Sequence, residues 1–248
     1  MILPHIRSSF GRSDAQFVVW LLSRGSESAR EREEERFREQ GFDAVLDDPL
    51  TLNALLAGRD FSSARPELVF YVLVRHALLE DGINDRGLAD YLAALVLTFG
   101  REGRAYHIAD DTTQYRYLVD IAAAGDGSTG RRAFLLRAHL GEFALWLSGL
   151  FPDHITARVH RRAAPPLAYY EAMGTTGYRL AARYTDAEQA GIAELYRNCA
   201  DFFPALRIAL NRVADRHLFP VTGDRIDRML RQVADSFRAE SFRAEGGA

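Results

Sequence analysis

Arg131-Arg-Ala-Phe-Leu-Leu-Arg-Ala-His-Leu-Gly-Glu-Phe-Ala-Leu-Trp-Leu-Ser-Gly-Leu150 is the stretch that decides the fold. Apolar residues fall on nearly every face of it, and it is far longer than an ordinary strand, so it reads as a helix buried on most sides. From Ala133 to Phe151 the apolar run is interrupted by Arg137, His139 and Glu142. That is too polar for a membrane span and suits the centre of a soluble helical bundle.

The neighbouring segments repeat the pattern. Pro66 opens an apolar helix, Val69 to Leu79, which Asp81-Gly82 stops; a second runs from Leu88 to Phe99 and ends at Gly100. Both are hydrophobic around most of their circumference and belong at the centre of the fold. Toward the N-terminus, Ser13 with Gln16 forms a capping-box pattern for a helix running through Phe17 to Leu22. Ser26 to Gln40 is nearly all charged, with Phe37 its one large apolar residue, and reads as a solvated arm, a partner-binding surface or a partly disordered segment. Asp48-Pro49 starts a short helix to Ala57, stopped by Gly58. Arg101 to Thr113 is a polar connection, with Ala105 to Ile108 as a short extended piece and Asp110 to Thr113 as caps for a helix over Gln114–Ala124.

Gly125-Asp-Gly-Ser-Thr-Gly130 is the clearest linker. It divides an N-terminal helical half, 1–124, from a C-terminal one, 131–240, either as two packed subdomains or within a single domain 1–240. Residues 1–124 carry 14 Arg against 20 acids, a balance of −6, and 125–248 carry 17 against 14, or +3. Beyond the linker, helices are expected over Arg131–Leu150, Pro165–Tyr184, Asp186–Asp201, Pro204–Phe219 and Asp224–Ala239, with Thr185 and Glu188 as a second capping box. The tail repeats Ser236-Phe-Arg-Ala-Glu240 as Ser241-Phe-Arg-Ala-Glu245. A five-residue period turns about 140° on a helix and builds no single face. The expected fold is all-α, a multi-helix globular array of about ten helices.

Composition bounds the chemistry. Of the 248 residues, 48% are apolar and 26% charged, which is a globular balance. All 31 basic residues are arginine, so Schiff-base catalysis by a side-chain amine and any lysine-dependent phosphate loop are excluded. The single cysteine, Cys199, rules out an internal disulfide and a cysteine-rich zinc site, and its amphipathic surroundings make it a small buried hydrophobe. Met1 to Asp14 contains no apolar signal core, which points to the cytoplasm. A net charge of −3 gives no bias toward nucleic acid or anionic membrane. The helix after the Asp81-Gly82 turn carries core residues where a DNA-reading helix needs polar ones. No Gly-x-Ser-x-Gly elbow or phosphate-binding glycine loop occurs.

The candidate site lies between Arg131 and Tyr184. His139 and Glu142 share one face of the apolar helix, His154 and His160 follow Pro152, and Tyr170 and Glu171 sit on the next helix. Imidazole and carboxylate suit zinc, manganese or iron, but the bundle pattern of repeated Glu-x-x-His is missing, so no residue is assigned as a metal ligand. The competing reading is a hydrogen-bonded structural pair, with Arg137 as a candidate partner. Gly174 and Gly177 beside Tyr169, Tyr170 and Tyr178 indicate a tyrosine-walled pocket, tight helix packing, or a break near Met173–Thr176. Arg158, His160, Arg161 and Arg162 form a basic turn, suited to phosphate or an acidic partner but also to a plain solvated turn.

Two functions follow. One is a non-enzymatic helical interaction or regulatory protein, contacting a protein partner or a second copy of itself through the charged arm and the basic turn. The other is an enzyme binding a metal or small molecule between the helices of His139/Glu142 and Tyr170/Glu171, with Arg161 holding an anionic substrate. Catalytic residues and cofactor stay unassigned. Membrane insertion and nucleic-acid binding are not expected.

Overall fold

The computed structural model describes residues 1–57, 64–101, 104–108, 113–162 and 164–219, and of 160–162 the backbone alone. The expected helix over Asp224–Ala239, the tail repeat, the stop at Gly58 and the caps at residues 110–112 lie outside the described residues. Within them the chain is all-α, as the periodicity requires. Thirteen α-helices occur: α1 (Arg12–Ser23), α2 (Glu27–Gln40), α3 (Phe42–Leu46), α4 (Pro49–Ala57), α5 (Pro66–Glu80), α6 (Arg86–Gly100), α7 (Leu118–Asp126), α8 (Gly130–Leu150), α9 (Pro152–Arg162), α10 (Leu167–Ala181), α11 (Thr185–Gln189), α12 (Ala193–Asp201) and α13 (Phe203–Val213). A π-helical turn, Ala214–Leu218, continues α13. No helix among the described residues is long and apolar enough to cross a membrane.

Local chemistry sets the helix ends, not always where the sequence patterns put them. The first helix is capped two residues earlier than Ser13: the Gly11 N–H donates to Asp14 Oδ2 at 2.9 Å, so Asp14 and not Gln16 reaches back to the cap. Ser26 caps α2, and Asp85 caps α6 by accepting from the Gly87 and Leu88 N–H groups at 2.8 and 3.0 Å. Asp48 Oδ1 accepts from Leu50 N–H at 2.7 Å and opens α4 behind Pro49. Thr185 makes no side-chain cap, and the single helix expected over Asp186–Asp201 is two, separated at Gly191 with φ +69°. The helix expected from Gln114 begins only at Leu118, because Gln114 is held by an isolated bridge to His107. The basic segment 158–162, expected as a turn, is the end of helix α9.

Helix α8 is the axis of the structure, with α7, α10 and α13 packed on it, while α5 and α6 pair and α13 covers α5. Apolar side chains from both sides of the 125–130 linker, from Ile2 through Leu92 and Phe143 to Ala214, join one core. α10 is unbroken, so its glycines serve close approach. A Cβ on Gly177 would stand 2.7 Å from the Gly141 backbone nitrogen and 2.9 Å from the Arg137 carbonyl, and one on Gly141 would meet the Tyr178 ring at 2.7 Å. Any larger residue at this crossing pushes α8 and α10 apart, and with them the side chains both helices present.

Candidate functional site

His139 and Glu142 do share one face of α8, and that face is sealed. Their residues are 1% and 0% exposed. Glu142 Oε1 accepts from the Ile2 backbone N–H at 2.8 Å and lies 3.4 Å from the Tyr91 hydroxyl. The Tyr91 hydroxyl is also 3.0 Å from that of Tyr178. One phenolic proton cannot serve both neighbours, so when Tyr91 donates to the carboxylate the Tyr178 hydroxyl supplies the other bond. Tyr196 packs into the same cluster, edge-on to Tyr91 and tilted to Tyr178, with ring centroids 6.1 and 5.4 Å away. Its hydroxyl faces Glu142 and Tyr91 yet makes no hydrogen bond of normal geometry. Burial raises the pKa of Tyr91, Tyr178, Tyr196 and Cys199 well above their ordinary values, so all four are neutral at physiological pH.

Burial also pulls the His139 pKa down to about 3, so its imidazole is neutral. The ring lies between Phe99 and Phe143, at centroid distances of 5.6 and 5.8 Å. Its Nδ1 is 3.9 Å from Glu142 Oε2, too far for a hydrogen bond. What Glu142 demonstrably does is hold the N-terminal segment on the bundle. Asp90 of α6 does the same a few residues on, accepting from the Ile6 and Arg7 N–H groups at 2.7 and 3.3 Å.

Glu171, Tyr170 and Arg137 each have partners of their own. Glu171 turns to α13, where its Oε1 accepts from Arg207 Nε at 2.7 Å. Arg207 in turn bonds Asn211, whose amide donates to the Ser148 and Gly149 carbonyls at 2.8 and 2.6 Å. Tyr170 is buried in edge contact with Tyr169 and near Arg158, and His154 is exposed. Arg137 pairs with Asp126, not with the His139/Glu142 pair. The side chains of His160 and Arg161 lie outside the described ones. Among the described residues no group of three or more His, Cys, Asp or Glu is placed to hold a metal ion.

Two polar features escaped the sequence reading. The first is a buried ion cluster under the N-terminal helices. Arg75, 1% exposed in the middle of α5, donates to both oxygens of Asp47 at 2.7 and 3.0 Å, and Arg86 Nη2 reaches Asp47 Oδ2 at 2.7 Å. Burial pushes the Asp47 pKa up, but the hydrogen bonds from Arg75 and Arg86 outweigh it and hold the carboxyl below its ordinary value. The Tyr71 hydroxyl beside them is pushed up to about 12 by burial.

The second is a cleft of about 970 Å³ between α1 and α2, lined by Arg12, Val19, Trp20, Arg30, Phe37 and Arg38 among others. Trp20 is 60% exposed there, while Val18 and Val19 on the same helix are buried. Phe37 closes the floor by stacking on Phe42 at 5.5 Å. Arg30 is held by Glu34 at 3.0 Å and Arg38 by Glu35 at 2.6 Å, whereas Arg12 makes no ion pair among the described residues. The signal was present in the sequence: Trp20 falls off the buried stripe of α1, next to the charged arm. Neither a protein-family model, nor a curated protein, nor a solved structure matches the chain.

Proposed function

We propose that the protein is a non-enzymatic helical interaction protein, and that its docking face is the cleft between α1 and α2. The observation that carries this reading is Trp20, 60% exposed in a cleft whose opposite wall is the charged helix α2. An indole left in water costs apolar hydration, and tryptophan and arginine dominate the energetics of protein interfaces. The cleft favours one occupant by chemistry: an amphipathic helix of another protein, laid between α1 and α2. It sets an apolar anchor against Trp20 and Phe37 and a carboxylate against Arg12. The α2 arginines already held by Glu34 and Glu35 then define a rim that selects by charge pattern.

The alternative, an enzyme with its site between α8 and α10, lacks comparable support. Those helices meet backbone to backbone at Gly141 and Gly177, and the His139/Glu142 pair lies under the core.

A photo-activatable residue placed at position 16 of the full chain, on the cleft wall one turn from Trp20, in the cells that make the protein, tests the reading. The expected result is cross-linking to a peptide of another protein that carries acidic residues along an apolar helical stripe, lost on Arg12→Glu. The same probe at exposed Glu188 of α11 should not capture it. Cross-linking at both positions alike, only to a second copy of this chain, or not at all refutes the proposal.

A further inference from the structure

A second concave surface, unrelated to the α1–α2 cleft, is apolar. It is a groove of about 680 Å³ where the start of α5, the end of α6 and the end of α8 meet the π-helical turn; Val96, Phe99, Trp146, Leu150, Phe151 and Phe219 are among its walls. Its rings form a ladder, with centroids 5.8 Å apart from Phe99 to Trp146, 5.0 Å from Trp146 to Phe151 and 5.6 Å from Phe151 to Phe219. The ladder therefore runs along the groove to Phe219, just past the π-helical turn.

Twenty-nine residues follow Phe219. They open with Pro220-Val-Thr-Gly223, a turn-forming connector that spans at most about 14 Å. Then Ile226, Leu230, Val233 and Phe237 recur at intervals of four, three and four, the spacing of one apolar stripe on a helix. Asp227, Arg228, Arg231 and Asp235 stand between them, and Asp224 and Arg225 just before. Such a stripe needs an apolar surface to cover, and the groove walls begin at Phe219, one residue before the connector.

We propose that residues 224–239 seat their Ile226-Leu230-Val233-Phe237 stripe in the apolar groove between α5, α6 and α8 of the same chain. The short connector and the ring ladder ending at Phe219 favour this occupant over a free small molecule or a second copy.

The test uses the full chain. Leu97 of α6 lines the groove and is half-buried, and the native Cys199 is fully buried. Leu97→Cys is combined in turn with cysteine at positions 226, 230, 233 and 237, and with Gln232→Cys as the polar-face control. Mild oxidation is expected to give an intramolecular disulfide with at least one stripe position, at several times the yield of the 232 control. In a Trp20→Phe background, Trp146 is the only tryptophan. Leu230→Asp with Val233→Asp should then shift its emission to the red and raise acrylamide quenching at least twofold, and Gln232→Asp should not. Equal cross-linking at all positions, disulfides only between two chains, an apolar compound co-purifying with the full chain and no cross-link, or Trp146 emission blind to the stripe variant each overturns the proposal.

Discussion

Replacing Gly177 with alanine sets helix propensity against packing, and the geometry predicts which wins. Alanine in a helix interior is favoured over glycine by about 1 kcal/mol. The new methyl, however, would stand 2.7 Å from the Gly141 backbone nitrogen, 2.9 Å from the Arg137 carbonyl oxygen and 3.1 Å from Leu140 Cβ. The two nearest atoms are backbone, so no rotamer change relieves the contact and the helices must separate. Overpacking of this kind costs about 1–3 kcal/mol, and more where the obstacle cannot move. With backbone as the obstacle the cost lies at the upper end, about 3 kcal/mol, so the net expectation is a loss of about 2 kcal/mol, or a fall in Tm of about 4–8 °C for a chain of this size. Gly100→Ala, at the end of α6 with nothing within 4 Å of the added methyl, provides the matched control and should not lower Tm. Differential scanning calorimetry of the two variants beside the parent reads the effect. A Gly177→Ala protein as stable as the parent would refute the claim that α8 and α10 meet backbone to backbone.

Three further outcomes follow from the buried polar groups. Glu142→Ala strands the Ile2 N–H and the Tyr91 hydroxyl without their acceptor and should cost about 1–3 kcal/mol in urea unfolding, with Glu142→Gln losing less because it keeps an oxygen; equal losses would contradict the assigned role. Asp47→Ala leaves the Arg75 guanidinium, 1% exposed, without its carboxylate, and should destabilise by about 3–5 kcal/mol; a near-neutral variant would show that Asn84, whose Oδ1 also accepts from Arg75 Nη2, satisfies it alone. His139 has a folded pKa of about 3, below its unfolded value of about 6.5. Its contribution is therefore complete above pH 6.5 and is lost as pH falls from there toward 3. Between pH 7 and pH 5 the parent should lose roughly 2 kcal/mol more than His139→Leu does, and parallel pH profiles in urea would sink the idea.

The parts of this fold that could be read in advance share one property: their signal is local. The apolar runs of α5, α6 and α8 mark buried helices because most of their circumference is apolar, and Asp48-Pro49 or Ser26 sets a helix start within one turn. The basic end of α9 was misread because Arg158, Arg161 and Arg162 mask the short apolar face that carries Ile155, 3% exposed. Within the candidate site, the His139/Glu142 spacing was legible and their partners were not. Ile2 and Tyr91 lie 140 and 51 residues away in sequence from Glu142, and no periodicity encodes a contact across such distances. Arg75 interrupts the apolar run of α5, and its partner, Asp47, sits 28 residues upstream. The roles of Gly141 and Gly177 likewise depend on which helices cross, which spacing within one helix does not specify.

The central claim is that the α1–α2 cleft is a docking face, and oxidative footprinting of two exposed rings, Trp20 and Tyr117, tests it most directly. Trp20 is 60% and Tyr117 57% exposed in the isolated chain, so hydroxyl radicals should modify both readily in purified protein. In the cells that make the protein, a helix seated in the cleft should protect Trp20 several-fold and leave Tyr117 as reactive as before. Trp20 and Tyr117 responding alike, both open or both protected, would contradict the account.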